Sequence, residues 1–374
     1  MTSVEPARPG NQASIQRSAS RRTTAVFSGL VVSSLMMGVG VSPVSAADDF
    51  GQVTGTVLGL GSDDQLCVYA LPAPVTNSEP GVSPSTGQLQ PIVPPSTEGP
   101  CADTPLAVES QLVVDGTYTF EALEPGAYRL YLDDPRPDES TVTGASQWVP
   151  GKVLKTSAQI VTVEAGASVV APSTTAFPAR YFNDVPPTLQ FSKEISWLAS
   201  TGISTGWTGR DGTSTFRPVT PIARDAMAVF IYRLAGSPEY TPPTISPFAD
   251  VPTDNVYYKE IAWLAAEKIS TGWPQDDGSR IFRPLSPVAR DAMAVFLYRF
   301  ADRGALEDTA AAPFEDVPTD NVYFKQISWL ASTGISRGWT SADGTSIFKP
   351  YAAINRDAMA AFMKRYALMT NTQS

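Results

Sequence analysis

Histidine is absent from this chain of 374 residues, and cysteine occurs only twice. Without imidazole there is no Ser-His-Asp or Cys-His nucleophile system, no histidine general base, and no His-ligated zinc, copper or haem. Positive charge is also in short supply: 27 Lys and Arg stand against 37 Asp and Glu, a net charge of −10. Recognition of a phosphate backbone draws on clustered Lys and Arg, so nucleic acid is not an expected partner. Charged residues make up only 17% of the chain, whereas a hydrophobic share of 43% is enough to bury a core. The composition favours binding or display over catalysis; no catalytic residue, cofactor or metal site is expected.

What is present begins with a leader. Arg8, Arg17, Arg21 and Arg22 precede an uncharged run from Ala25 to Val41, and Val44-Ser45-Ala46 supplies small residues before Ala47. That order predicts a secretory signal peptide over 1–46. The run holds Ser and Gly and falls short of the about 20 residues a membrane-spanning helix needs. Thr23-Thr24-Ala25 follows Arg21-Arg22 where a twin-arginine signal wants a bulky apolar pair. No later segment is long and apolar enough to span a membrane, and the C-terminus shows neither a sortase-type motif nor a hydrophobic tail. The expected location is outside the cell, without a covalent or lipid anchor. Cys67 and Cys101 fit an oxidising compartment, where two cysteines most often pair. Their bridge would close a loop of about 35 residues, worth on the order of 3–4 kcal/mol in the chain-entropy model. Two free buried thiols are the alternative.

Charge divides the rest of the chain. Residues 47–181 hold 16 acidic and 5 basic side chains, whereas residues 182–374 hold 20 and 18. The acidic part, a domain over 47–175, reads as strands at Gln52–Leu58, Gln65–Leu71, Gln111–Val114, Thr117–Glu121, Tyr128–Leu132 and Ile160–Val163. A Pro/Ser/Thr-rich excursion over 72–106 interrupts them. An antiparallel β-sandwich is the expected fold. The run Gly116-Thr-Tyr118-Thr-Phe120-Glu-Ala-Leu123-Glu-Pro125-Gly126-Ala-Tyr128-Arg-Leu130 resembles the transthyretin-like sandwich of carboxypeptidase regulatory domains and Gram-positive surface stalks. The resemblance implies a display or spacer module. Asp63-Asp64 and Asp133-Asp134 lack the alternation of a calcium loop and read as solvated turns.

The second part repeats. Phe182-Asn-Asp184-Val-Pro186, Phe248-Ala-Asp250-Val-Pro252 and Phe314-Glu-Asp316-Val-Pro318 open three copies 66 residues apart, at 182–236, 248–302 and 314–368. Trp197/Trp263/Trp329, Trp207/Trp273/Trp339, Phe216/Phe282/Phe348 and Arg224/Arg290/Arg356 keep that spacing, so a threefold internal repeat is expected. Each copy reads as helix, loop with a tight Asp-Gly turn, then helix. Phe191, Ile195, Leu198 and Ala199 stripe the first helix. Thr220-Pro221 and Ser286-Pro287 predict an N-cap and N1 proline for the second. Ala352-Ala353 lacks that cap, which predicts a third second-helix that frays more readily. One copy buries too little to stand alone, so the three should pack into one body. The chain as a whole is thus expected to be multidomain.

The pattern F-x-D-V-P, amphipathic helix, G-I-S-x-G-W, Asp-Gly turn, F-[RK]-P and a helix opening with Arg resembles the S-layer homology domain. The resemblance implies a mainly α-helical, pseudo-threefold body. It also implies grooves between copies that bind pyruvylated secondary cell-wall polymers on the surface of a Gram-positive bacterium. The family's Thr-Arg-Ala-Glu is here Ala223-Arg224-Asp225-Ala226, Ala289-Arg290-Asp291-Ala292 and Asn355-Arg356-Asp357-Ala358; Arg matches and Thr and Glu do not.

The residues themselves give candidate roles. Arg224, Arg290 and Arg356 start helices, where the macrodipole repels a cation without a partner. The partner is either a ligand carboxylate, held through two parallel hydrogen bonds, or a neighbouring Asp. Trp207, Trp273 and Trp339 follow a loop glycine, where a ring stacks on a sugar or packs under the loop. Trp197, Trp263 and Trp329 lie off the helix stripe and either seal the joints between copies or line a groove, with sealing favoured. Gly202-Ile-Ser204-Thr-Gly206 and Gly334-Ile-Ser336-Arg-Gly338 match the G-x-S-x-G of hydrolases, but a helix precedes and no triad His exists. The leading expectation is a non-enzymatic, wall-associated protein whose repeats hold an anionic wall polysaccharide. A second is that the sandwich binds carbohydrate in a starch-binding-like manner through Trp148 and its tyrosines. The repeats would then self-associate or bind a partner protein, as in a hydrolase accessory subunit.

Overall fold

Buried and half-buried residues alternate along Gly51–Leu58, placing Val53 and Val57 on one inward face of a strand. The computed structural model describes residues 49–61, 65–73, 101, 107–134, 144–178, 180–301, 312–341 and 344–368. The expected leader over 1–46, most of the 72–106 excursion, Asp63-Asp64 and most of the second intercopy linker lie outside the described residues. The strands that precede the repeats are β1 (Gly51–Leu58), β2 (Cys67–Pro72), β3 (Glu109–Leu112), β4 (Thr117–Leu123), β5 (Gly126–Asp133) and β6 (Gly144–Ala145). They continue with β7 (Gln147–Trp148), β8 (Val161–Val163), β9 (Ser168–Val170), β10 (Thr174–Thr175) and β11 (Phe177–Pro178).

One sheet is built on β1, flanked by β4, β9 and β10; the other runs β3-β2-β5-β7, with β8 also on β5. Val53, Val57 and Phe120 of the first share a buried core with Val68, Ala70, Leu130, Leu132 and Val163 of the second. The second sheet is antiparallel throughout, as the sequence predicts. The first is not: β1 pairs antiparallel with β4 but parallel with β9 and β10. The turn after β8, where Gly166 N–H bonds to Phe50 O and Gln52 N–H to Ala167 O, carries the chain from one sheet to the other. The returning strand therefore runs beside β1 in the same direction. On the outer face of the second sheet, Cys67, Tyr69, Leu71 and Tyr131 are covered by Cys101, Trp148 and Ala158. That cover explains why five consecutive residues of β2 are buried. Cys67 and Cys101 are bonded, with Cα atoms 5.6 Å apart.

Each repeat is a helix, a two-stranded hairpin opening on Trp, and a second helix. Copy 1 has α1 (Ser192–Ser200), the hairpin β12–β13 (Trp207–Thr208, Ser214–Thr215) and α2 (Arg224–Leu234). Copy 2 has α3 (Tyr258–Ala266), β14–β15 (Trp273–Pro274, Arg280–Ile281) and α4 (Arg290–Phe300). Copy 3 has α5 (Phe324–Ser332), β16–β17 (Trp339–Thr340, Ser346–Ile347) and α6 (Arg356–Leu368). The helices pair between copies: α2 with α3, α4 with α5, and α6 back with α1. Residues of all three copies form a single buried cluster. At its centre Ile222 N–H bonds to Ile354 O, Ile354 N–H to Val288 O, and Val288 N–H to Ile222 O. The ring is thereby closed on itself.

That central triangle corrects the predicted caps. Thr220-Pro221 and Ser286-Pro287 do not start helices; α2 and α4 begin at Arg224 and Arg290, behind the extended residues Ala223 and Ala289. The proline segments are drawn to the axis, where Pro221 bridges Asn355 and Pro287 bridges Ala223. Ala352-Ala353 therefore replaces no cap, and α6 spans 13 residues against 11 in α2 and α4.

The strands meet the repeats at one place. Trp197 Nε1 donates to Ser146 O at 3.0 Å, and Trp148 Nε1 to Ala367 O at 3.3 Å. Val153, Leu154 and Phe177 pack on the helical core, and Leu368 packs on the outer sheet face. Among the described residues no helix is long and apolar enough to cross a membrane.

Candidate functional site

The repeated motifs interlock. The Asp184 carboxylate accepts the N–H groups of Phe216 and Arg217, both at 2.7 Å. Asp250 does the same for Phe282 and Arg283, and Asp316 for Phe348 and Lys349. These paired bonds hold Arg217, Arg283 and Lys349 at φ near +58°, a left-handed conformation that the following proline disfavours further. The F-x-D-V-P phenylalanine packs on its F-[RK]-P partner, Phe182 on Phe216 at 5.3 Å between centroids. It also explains the glycine before Trp207: Gly206 has φ +65°, and a Cβ there would collide with the Phe182 ring and Thr215 O. In this way F-x-D-V-P and G-I-S-x-G-W fix the carbonyl of Phe216 and the ring of Trp207.

Into that frame comes an arginine from another copy. Arg224 Nε donates to Phe282 O at 2.7 Å and its Nη2 to Ser270 Oγ at 3.4 Å. Arg290 repeats these bonds on Phe348 O and Ser336 Oγ, and Arg356 on Phe216 O and Ser204 Oγ. The three are 4–5% exposed. Burial pushes each guanidinium down to about 10, so each remains a cation at neutral pH. The Asp beside each arginine is not its partner: Asp225 accepts from Ala226 N–H, and burial pushes its carboxyl up. Among the described residues Nη1 of these arginines has no hydrogen-bond partner. A guanidinium pinned through two nitrogens keeps the third for a further acceptor, which chemically suits a carboxylate or phosphate oxygen.

Each arginine lies on the loop tryptophan of the next copy: Arg224 on Trp273, Arg290 on Trp339, both at 4.3 Å, and Arg356 on Trp207 at 4.4 Å. A second cation shares each ring, Arg283, Lys349 and Arg217 respectively. The rings are nonetheless 37–43% exposed. Trp197, Trp263 and Trp329 are buried, and Trp263 and Trp329 meet Tyr232 and Tyr298 of the preceding copy edge-on. Trp263 and Trp329 thus lie at joints between copies.

Two grooves follow from this geometry. One, about 150 Å³, is lined by Arg224 of copy 1, Ser270, Gly272, Trp273 and Arg299 of copy 2, and Tyr323 of copy 3. Its counterpart, about 410 Å³, is lined by Arg290, Ser336, Trp339 and Arg365, with Phe191 of copy 1 at its edge. Each of these two grooves thus takes residues from all three copies. Arg356, Ser204, Trp207 and Phe230 repeat the arrangement a third time.

The candidate arginines and loop tryptophans are brought together, though always across a copy boundary. Sequence reasoning gave no site role to Ser204, Ser270 and Ser336, which stand in G-I-S-x-G-W and, in copies 1 and 3, in the apparent hydrolase motif; they are buried and accept from arginine. It also missed the clamp by Asp184, Asp250 and Asp316. In both cases the 66-residue recurrence was the available signal. Trp148, a candidate sugar platform, is 1% exposed and faces the end of α6. Among the described residues no acidic or cysteine cluster could hold a metal. No protein-family model matches the chain, and a search of curated proteins finds no relative.

Proposed function

We propose that this chain is an exported, wall-associated protein that binds an anionic cell-wall glycan in the grooves between its repeats. The carrying observation is the buried, half-satisfied arginine beside an exposed tryptophan, built three times across copy boundaries. A sugar carboxylate, such as that of a pyruvyl ketal, would complete the guanidinium's hydrogen bonding while the ring edge contacts the sugar. The closed threefold arrangement agrees with the S-layer homology resemblance. In this reading the strand region is a transthyretin-like sandwich that serves as spacer or adhesion module, with no chemistry of its own. The disulfide agrees with export. The alternative, carbohydrate binding by the strand region, loses its main aromatic to the buried position of Trp148.

The test is sedimentation of the full exported chain with cell walls stripped of protein. Retention should fall when the wall polymer is extracted and in the R224A/R290A/R356A variant. The R224K/R290K/R356K variant, which keeps the charge, controls for folding through its circular dichroism and melting. Equal retention with and without polymer overturns the reading.

A further inference from the structure

The grooves differ in charge. The second position after Ile in G-I-S-x-G-W is Thr205 in copy 1, Thr271 in copy 2 and Arg337 in copy 3. Arg337 lines the larger groove together with Arg290, Lys349 and Arg365, against one lining carboxylate, Asp357. An Asp357 oxygen already accepts Ala358 N–H at 2.6 Å. The smaller groove is lined by Arg224 and Arg299, and Arg283, the counterpart of Lys349, lies over its Trp273 ring at 4.6 Å, so Arg337 is the added cation. Outside the lining, Glu194 acts on Arg365, which also donates to Ile335 O. Arg337 acts on the same Arg365 guanidinium with the opposite sign. Arg337 is exposed and makes no hydrogen bond or ion pair among the described residues. The rim differs too: Phe191 stands where the equivalent residues are Tyr257 and Tyr323. One groove is therefore larger than its counterpart and carries one more cation.

Resting on the glycan-binding reading, we propose that the Arg290 groove is specialised for a doubly charged sugar unit. Arg290 and Arg337 each hold part of its charge, whereas the Arg224 groove takes a singly charged unit. A buried, pre-oriented guanidinium fixes one anionic oxygen, and the free Arg337 closes on the remaining charge from the solvent side. Charge-assisted bonds of this kind account for about tenfold in affinity.

The test is calorimetric titration of the full exported chain with glucose 6-phosphate and with glucuronate, at equal ionic strength and pH 8. Phosphomonoesters, with a second pKa of about 6, are dianionic there. Wild type should bind glucose 6-phosphate at one site about tenfold more tightly than glucuronate. Arg337→Thr should bring the two probes within about twofold of each other, a change of one exposed residue that leaves the fold intact. Thr271→Arg should create a second site preferring glucose 6-phosphate. An unchanged probe ratio in Arg337→Thr overturns the proposal, as does a wild type with no preference. If wall retention still depends on polymer while the probes are not discriminated, only this inference falls.

Discussion

The three joints of the repeat ring are not sealed alike. Trp263 meets Tyr232 edge-on at 5.2 Å, and Trp329 meets Tyr298 at 5.5 Å, so two joints are closed from within the ring. The linker also braces the first, where Tyr232 and Tyr258 hydroxyls donate to Pro238 O and Pro243 O and the Tyr240 hydroxyl to Ala262 O. At the third joint, between α6 and α1, the position of the tyrosine is taken by Lys364 and chain order supplies no linker. Trp197 there bonds instead to Ser146 of the strand region. The lesson is that a repeat can be symmetric in its motifs yet depend on a foreign element where the chain bends back to its beginning.

This contrast can be broken experimentally. Trp263→Ala and Trp197→Ala should each cost about 3–5 kcal/mol in denaturant unfolding, as for other buried aromatics. A loss under about 1 kcal/mol at Trp197 would mean that the third joint carries no load. Replacing Cys67 and Cys101 by Ser should cost about 3–4 kcal/mol in the chain-entropy model. Because the bridge shares a buried patch with Trp148 and Leu368, the indole N–H of Trp197 should exchange faster, with Trp263 unaffected. Asp184→Ala, Asp250→Ala and Asp316→Ala should each cost about 2–3 kcal/mol through lost charge-assisted bonds. Unequal losses would show that the joints reach into the clamps. The finest test is Trp→Phe. At Trp197 it leaves Ser146 O unpaired and should cost about 1–3 kcal/mol more than at Trp263, whose ring contacts a phenylalanine largely retains.

Local pattern served well where partners were near in the chain. β1, β4 and β5 were legible from alternation, and the three copies from the spacing of Trp and Arg. At Pro221 a Thr-Pro pair before an apolar stripe predicts a cap, whereas the residue bridges Asn355 of another copy. Arg224 has the carboxylate of Asp225 next to it in the chain, yet its acceptor is Phe282 O, 58 residues on. For Arg356 the separation is 140 residues, running backwards to copy 1. A motif shared between copies shows that each has a socket and a plug, but not which plug enters which socket. The parallel strands β9 and β10 escaped notice because they are too short to show a period.

The central triangle of hydrogen bonds also counts. Ile222, Val288 and Ile354 are all but inaccessible to solvent, and each gives its amide to one copy and its carbonyl to another. Removing a copy would strand one amide and one carbonyl at the axis, each costing about 1–3 kcal/mol, while a fourth copy would find no vacant partner. Copy number is thus specified by main-chain atoms that no substitution other than proline removes. Side chains on the rim, Arg337 among them, are left free to diverge from groove to groove without disturbing the arithmetic of the ring.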